Sequence, residues 1–578
     1  MILPDMAPGV FRRYSVAAVI NPSRLLSPGS CPMSTPTPVT WTPLRMLFAA
    51  TLSLVFVTAG CTGPQGPQGP QGEPGSSATV DPSLSTVDKA FAGIGGKPAI
   101  QGLQNFEFTT TGMRYTAGEG FRPTDEALLG STENDSIVSH DVVGDKLAIH
   151  HKRKLTLFFP LDQDYKEIVH GNQGFLDGVE SLFGAPGGPL PSDRTAAIRR
   201  QHRLLNPHLI LKDIAATPSL ATDGGSALLD GSVHNLLVVT DAVHPLTLYV
   251  NAKTGKIAKL VTIENEPLHR DIPVEVFYEG WEATSNGLLF PKNVFIGVDG
   301  HLVHTETRKT VTVNGTLPAS RFALPAGSQL GPYNADDAAR GAANHQFHQI
   351  FASFGIPLPG QDLTVTRTEL NPGVWYITGF SHNTIVVEQA AGIVVLEAPL
   401  YPERSDAIIA WIKTQFPTKP ITHVFATHHH SDHTAGLRSF VSEGAKVVVH
   451  ESTVGFYREI FRAPSTIRPD TQARKPAGPT FITVPIGGSY RLEDAAHPVV
   501  AYHVENTHAA DMLMFYLPTE KTVFASDLFS PGLGGFGNGP RELYTAIVTT
   551  YNLDVARMTG GHGGTSTLAD LRTAAGVQ

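Results

Sequence analysis

Residues Thr427 to Gly436 read Thr-His-His-His-Ser-Asp-His-Thr-Ala-Gly and follow directly on the run Ile421-Thr422-His423-Val424-Phe425-Ala426. The apolar run reads as a buried strand, and His-x-His-x-Asp-His as the loop and helix start after it. Alternate residues of an extended segment point the same way, so His428 and His430 can converge on one ion. Asp432 and His433, at the following turn, can converge on a second. His429 points opposite its neighbours. It is read as structural, as are His423, His450, His497 and His503, which match no ligand position.

Only two cysteines occur, Cys31 and Cys61, and both lie near the N-terminus. The rest of the chain has no thiolate to offer, so a metal must be held by His, Asp or Glu, a set that suits zinc. At 578 residues the chain is too long for one core, and two or more domains are expected. A hydrophobic fraction of 41% with 16% charged residues describes a globular protein. The net charge of -9 contains no basic block, which gives no reason to expect nucleic acid as a partner.

Residues 1–60 read as a leader. Met46 to Thr58 is apolar and preceded by Arg45, right for a signal peptide core and short for a membrane span. The Pro-rich stretch before Met33 is unlike a signal n-region, so translation is expected to begin at Met33. The run ends in Thr58-Ala59-Gly60-Cys61, which resembles a bacterial lipobox and implies a lipid anchor on Cys61. Gly-Pro-Gln triplets follow, and residues 61–85 are expected to form an extended tether. Thr62 stands where an inner-membrane retention signal has Asp. The expectation is an exported protein anchored to the bacterial outer membrane, which N-terminal sequencing of precursor and mature chains checks.

Residues 86–335 read as β-rich and antiparallel. Leu248-Tyr249-Val250 is expected to turn through Ala252 to Gly255 into Ile257 to Val261, and Asn293 to Ile296 at Asp299-Gly300 into Leu302 to Thr305. Ser192 is expected to cap a helix from about Asp193 to Leu205, broken by Pro207. The meander resembles the curved sheets of lipoprotein carriers, which wrap an apolar ligand. The alternative is a packing and spacer domain that shapes the way into the site. His150, His151 and His304 are read as structural. Residues 336–360 read as a helical linker ending at Pro357 and Pro359, and residues 361–578 as the chemistry-bearing domain.

In that last region the chain resembles the metallo-β-lactamase superfamily, whose signature is the motif at 428–433. Asn383 to Val387 and Gly392 to Glu397 are similar to the family's opening strands, with Glu397 where many members carry Asp. His508, in Glu505-Asn506-Thr507-His508, Asp527, ending Val523-Phe524-Ala525-Ser526-Asp527, and His562, in Thr559-Gly560-Gly561-His562, match its remaining ligand positions in order. The resemblance implies a C-terminal αββα sandwich holding two zinc ions, with iron or manganese as other metals. The first zinc would take His428, His430 and His508, the second Asp432, His433 and His562, and Asp527 would bridge them.

The implied reaction is hydrolysis of a small molecule by hydroxide from a water shared by the two ions, with Asp432 orienting it and handling its proton. Zinc β-lactamases tend to show Cys or Ser where Asp527 stands. An Asp there resembles glyoxalase-II-like thioesterases, lactonases and phosphodiesterases, which favours an ester, lactone or thioester. A β-lactamase or phosphodiesterase on the same site is the alternative. A further one is a ligand-binding lipoprotein with a vestigial metal domain. A di-iron oxidoreductase of this fold would need a flavin partner, and no flavin motif occurs. Tyr457 to Pro479 is expected to cap the site, with Arg458, Arg462 and Arg468 read as a solvated basic loop. Phe529 to Gly539 is expected to form a rim. The oligomeric state stays open.

Overall fold

The alternating half forms one antiparallel sheet of thirteen strands in the computed structural model, which describes residues 79–157, 160–356, 365–379, 381–535 and 537–578. The leader, Cys31, Cys61, Thr62 and most of the tether lie outside the described residues, as do Pro357, Pro359 and Phe536. Among the described residues no helix is long and apolar enough to cross a membrane.

The sheet is two meanders joined back to back. Asn105–Thr116, Leu128–Asp141, Lys146–Leu155, Leu161–His170, Gln173–Gly178 and Pro189–Leu190 make one. Ala221–Leu229, Ser232–Val239, Leu246–Asn251, Ile257–Glu266, Arg270–Ala283, Leu289–Val298 and His301–Val313 make the other. They meet where Asn105–Thr116 pairs antiparallel with His301–Val313, from Phe106 opposite Val313 to Arg114 opposite His304. Both expected hairpins form. Asp299 (φ 48°) and Gly300 (φ 83°) supply the paired positive φ angles that a two-residue turn needs to follow the strand twist.

Helices Ser192–Leu205 and Pro207–Ala216 link the meanders, and Pro207 opens the second, where its missing N–H is no loss. Ser192 does not cap. It is the first helical residue, and its hydroxyl donates to the Pro332 carbonyl and accepts from the Asn334 N–H at 2.8 Å. Ile198, Leu204, Ile210, Leu211 and Ile214 pack on Phe106, Leu248, Val274 and Ile296 of the sheet, so the chain's own helices fill that face. One cavity beside them is lined by the charged and polar side chains of Arg114, Glu133, His151, Glu167 and Gln201 together with the apolar Ile149, Ile198 and Leu205.

Burial holds the His202, His208 and His304 imidazoles neutral and pushes each down to about 3. Their folded values lie below the ordinary 6.5, so the unfolded chain binds the extra protons. Their contribution is complete above about pH 6.5 and is lost progressively toward pH 3, by up to about 1.4 kcal/mol per histidine per pH unit. The melting temperature is expected to fall across that range, and less steeply in His304→Gln. An unchanged slope in that variant would argue against a neutral, buried His304.

Helices Ala335–Ala343 and His345–Ser353 follow, the first capped by the Asn334 side chain. A Cβ on Gly341 would fall 1.9 Å from the Asp193 carbonyl oxygen, so only glycine permits this helix to lie so close to Ser192–Leu205.

The C-terminal region has four layers. Strands Thr366–Asn371, Val374–Thr378, Thr384–Gln389, Gly392–Leu396, Ile421–Phe425, Lys446–His450 and Phe481–Val484 form one sheet, parallel from Gly392–Leu396 onward. Ser489–Leu492, Val499–His503, Leu513–Leu517, Thr522–Ala525, Arg557–Gly560 and Thr565–Ser566 form the other. Ile385, Val394, Phe425 and Val448 of the first meet Leu513, Phe515 and Phe524 of the second in a dry interlayer. Helices Pro402–Gln415 and Leu437–Ser442 cover one outer face, and Gly539–Thr545 and Leu568–Ala574 the other.

The two halves are docked. Leu268 packs on Ala435 and Ile460, and Phe347 and Phe351 on Leu400 and Tyr401. Arg270 donates to the Arg468 carbonyl at 2.6 Å and lies 3.6 Å from Asp470, while Asp271 accepts from the Thr466 N–H at 2.7 Å. These contacts hold Tyr457 to Asp470 against the first half. Arg458 and Arg462 stay exposed, and Arg468 pairs with Glu403 at 3.5 Å.

Candidate metal centre

All seven expected ligands come together, and each sits just beyond or just before a strand at one rim of the sandwich. His428 and His430 follow Ile421–Phe425, while Asp432 and His433 open the short helix Ser431–Thr434. His508 precedes Leu513–Leu517, Asp527 follows Thr522–Ala525, and His562 follows Arg557–Gly560. Their donor atoms form two groups, each within 4.8 Å, that could hold a metal ion. One is His428, His430, His508 and Asp527, and the other Asp432, His433 and His562 with an eighth residue, His382.

Asp527 is divided between the groups. Its Oδ2 lies 3.2 Å from His508 Nε2 and 3.7 Å from His428 Nε2. Its Oδ1 lies 3.0 Å from both His433 Nε2 and His562 Nε2. Nevertheless His433 Nε2, His508 Nε2 and Asp432 Oδ1 are buried and make no hydrogen bond. Polar atoms that converge without pairing fit a cation between them.

The outward nitrogens explain the orientation. His433 Nδ1 donates to Glu397 Oε1 at 2.8 Å, and His562 Nδ1 to the Ser381 carbonyl at 2.8 Å. His430 Nε2 donates to the Gly120 carbonyl at 3.0 Å. Thr427 donates to Glu397 at 2.6 Å, which leaves its oxygen to accept from His428 Nδ1 at 3.1 Å. These bonds fix the tautomers and leave His428 Nε2 and His430 Nδ1 as lone pairs only 3.0 Å apart. Two lone pairs that close repel unless a cation lies between them. Glu397 thus supports the site from behind and does not enter it.

The electrostatics call for positive charge. Burial holds His428 and His430 well below the usual imidazole value. Burial also opposes charge on His433, but Asp432, Asp527 and Glu397 outweigh it and push that residue well up. His562 is raised against the same burial penalty by Asp527. Despite burial, His433 and His382 hold Asp432 well below the usual carboxylate range, and His433 and His562 do the same for Asp527.

Two residues of the centre escape sequence reasoning. His382 donates from Nε2 to Asp432 Oδ2 at 3.1 Å, and its ring lies 4.1 Å from that of His562. It stands two residues before Thr384–Gln389, so a polar side chain at the start of a family-like opening strand was the available signal. Glu119, from the other half of the chain, groups with His430 and Asp432. Nothing in its local sequence marks it. The other five histidines of the C-terminal region stand in none of these groups: His429 bonds Asp511 at 2.7 Å, His497 meets Glu520 at 2.5 Å, His450 stacks on His503, and His423 bonds Thr422 at 3.0 Å. The Gly564 N–H donates to the Pro531 carbonyl at 2.9 Å, which sets part of the expected rim beside the His562 loop.

Residues 377–562 match the model of the Metallo-beta-lactamase superfamily. Among curated proteins the chain is 24% identical over 196 residues to 2,4-dinitroanisole O-demethylase subunit alpha from Nocardioides sp. (strain JS1661), covering 33% of this chain and 55% of that protein. It is 36% identical over 93 residues to subunit beta from the same organism, covering 16% of this chain and 28% of that protein. The chain therefore spans about half the length of one relative and less of the other. Among solved structures, a metallo-beta-lactamase from Pontibacter korlensis is 18% identical with a TM-score of 0.30, covering 37% of this chain and 98% of that one. A metallo-beta-lactamase from Hirschia baltica is 19% identical with a TM-score of 0.29, covering 36% and 96%.

Proposed function

We propose that this chain, a metal-dependent hydrolase carrying a metallo-β-lactamase superfamily domain over residues 377–562, uses two zinc ions to hydrolyse an ester, lactone or thioester. The observation that carries the reading is Asp527, with one oxygen toward each ligand group and no Lys or Arg beside it among the ion pairs of the described residues.

His428, His430 and His508 would hold the first ion, and Asp432, His433 and His562 the second, with Asp527 shared. Zinc bound there would supply a hydroxide nucleophile at neutral pH, so no protein base would be needed. His382 fixes Asp432 through Oδ2 and leaves Oδ1 without a partner, turned toward the second ion it would hold. Glu397, Ser381 and Gly120 keep the imidazoles turned inward. The sheet of the first half supports the alternative role expected for it, shaping the way into the site, because its loop 117–127 reaches the histidines.

The curated relatives favour one second reading, cleavage of an aryl methyl ether such as 2,4-dinitroanisole. A panel on the purified chain separates the possibilities: a nitrophenyl ester, a lactone, a thioester, nitrocefin, a phosphodiester and 2,4-dinitroanisole. The expected result is turnover of one of the first three, lost on chelation and restored by zinc. Turnover confined to nitrocefin, the phosphodiester or the dinitroanisole would replace the substrate class. Chelator-insensitive turnover would refute a metal-dependent reaction.

A further inference from the structure

Glu119 lies on the loop between strands Asn105–Thr116 and Leu128–Asp141, outside the metallo-β-lactamase domain, yet its carboxylate is at the metal centre. Its Oε2 is 3.5 Å from His430 Nδ1, and its side chain is only 11% exposed. Oε1 is fully buried and makes no hydrogen bond. The loop is pinned just after Glu119, where the Gly120 carbonyl accepts from His430 Nε2 at 3.0 Å and the Phe121 carbonyl accepts from the Ala510 N–H at 2.8 Å.

Gly120 takes the proton of a neutral His430 on Nε2, so Nδ1 presents a lone pair to Glu119. An acceptor facing an acceptor gains nothing from the contact. Glu119, His430 and Asp432 nevertheless offer donor atoms within 4.8 Å of one another. His430 belongs to the first ligand group and Asp432 to the second, so the carboxylate reaches both. Among the described residues its ion-pair partner is His430, with no Lys or Arg. A carboxylate buried beside other carboxylates is strongly unfavourable unless a cation or a proton compensates it, and the unpaired Oε1 and the two neighbouring ligand groups leave room for the cation.

We propose that Glu119 is a ligand of the metal centre, supplied by the antiparallel sheet, so that the site is complete only where the two halves of the chain meet. The inference rests on the metal-centre reading above. It gives the docking of the halves a chemical purpose: contacts of Leu268, Arg270 and Asp271 with the second half set the position of a ligand as well as a surface.

The test uses the full chain as wild type, Glu119→Gln, Glu119→Ala and His430→Ala. Zinc affinity is measured by competition with a chelating dye, and absorption spectra are recorded after cobalt substitution. Both Glu119 variants are expected to keep the wild-type circular dichroism, to release one ion about tenfold or more readily than wild type, and to show altered cobalt ligand-field bands. Wild-type affinity and spectrum in both variants, with a metal lost in His430→Ala, would overturn the role of Glu119 and leave the metal centre standing. A change in Glu119→Ala that Glu119→Gln does not share would also overturn it, since glutamine preserves the packing and removes the charge. A wild-type chain that binds no zinc would overturn both readings.

Discussion

Substituting His430 by alanine is expected to abolish chelator-sensitive turnover, by about a thousandfold or more, while the antiparallel sheet keeps its stability. The ring contributes Nδ1 to the first ligand group, 3.0 Å from His428 Nε2, and Nε2 to the Gly120 carbonyl. Its loss removes a donor from the group expected to stabilise developing negative charge, and such a contribution is worth about 10² to 10³ in rate even when a single hydrogen-bond donor is deleted. The apolar core of the sheet is built from residues such as Phe106, Ile198, Leu248 and Val274, all N-terminal to the sandwich, so it does not depend on the ring. Steady-state kinetics and urea denaturation on one preparation check both parts. Turnover within tenfold of wild type would remove His430 from the site.

Replacing Arg194 by methionine is expected to destabilise the first half by about 3–5 kcal/mol, the largest loss foreseen away from the metal centre. Arg194 ends a buried chain of alternating charge. Arg114 pairs with Glu133 at 3.1 Å, Glu133 with His151 at 3.3 Å, His151 with Glu167 at 3.2 Å, and Glu167 with Arg194 at 3.1 Å. Arg194 also pairs with Glu180, whose side chain is 1% exposed. Burial disfavours the Glu167 carboxylate, and His151 and Arg194 are what hold it ionised. Methionine nearly matches the arginine stem in shape but leaves Glu180 buried without its ion-pair partner and Glu167 with His151 alone. Adding Glu180→Gln is expected to restore part of the loss, because one buried charge then disappears. A shift under about 1 kcal/mol in the denaturation curve would mean that water reaches these carboxylates.

The histidine motif and the hairpins were legible because each is local, and His508, Asp527 and His562 because the segments around them resemble those of a known family. A strand end followed by His-x-His-x-Asp-His needs a few neighbours to state its chemistry, and Asp299-Gly300 states its turn by itself. The buried charges of the first half were not legible. Glu133, His151, Glu167 and Arg194 sit on separate elements, and a polar residue on an amphipathic strand reads as solvent-facing until a second layer covers it. Ser192 misled for a similar reason: its hydroxyl had the right identity for a cap, but the segment Pro332 to Asn334 takes it. Glu119 is the extreme case, more than 300 residues from the motif it touches. Only the docking of one half on the other brings it there.

Inductively coupled plasma mass spectrometry of the purified full chain, after removal of loosely bound ions, tests the paired ligand groups most directly. Two metal ions per chain in the wild type, falling in Asp527→Asn as the oxygen-sharing carboxylate loses its charge, is the expected result. Less than one ion per chain in the wild type, after purification in zinc-containing buffer, would contradict the centre itself.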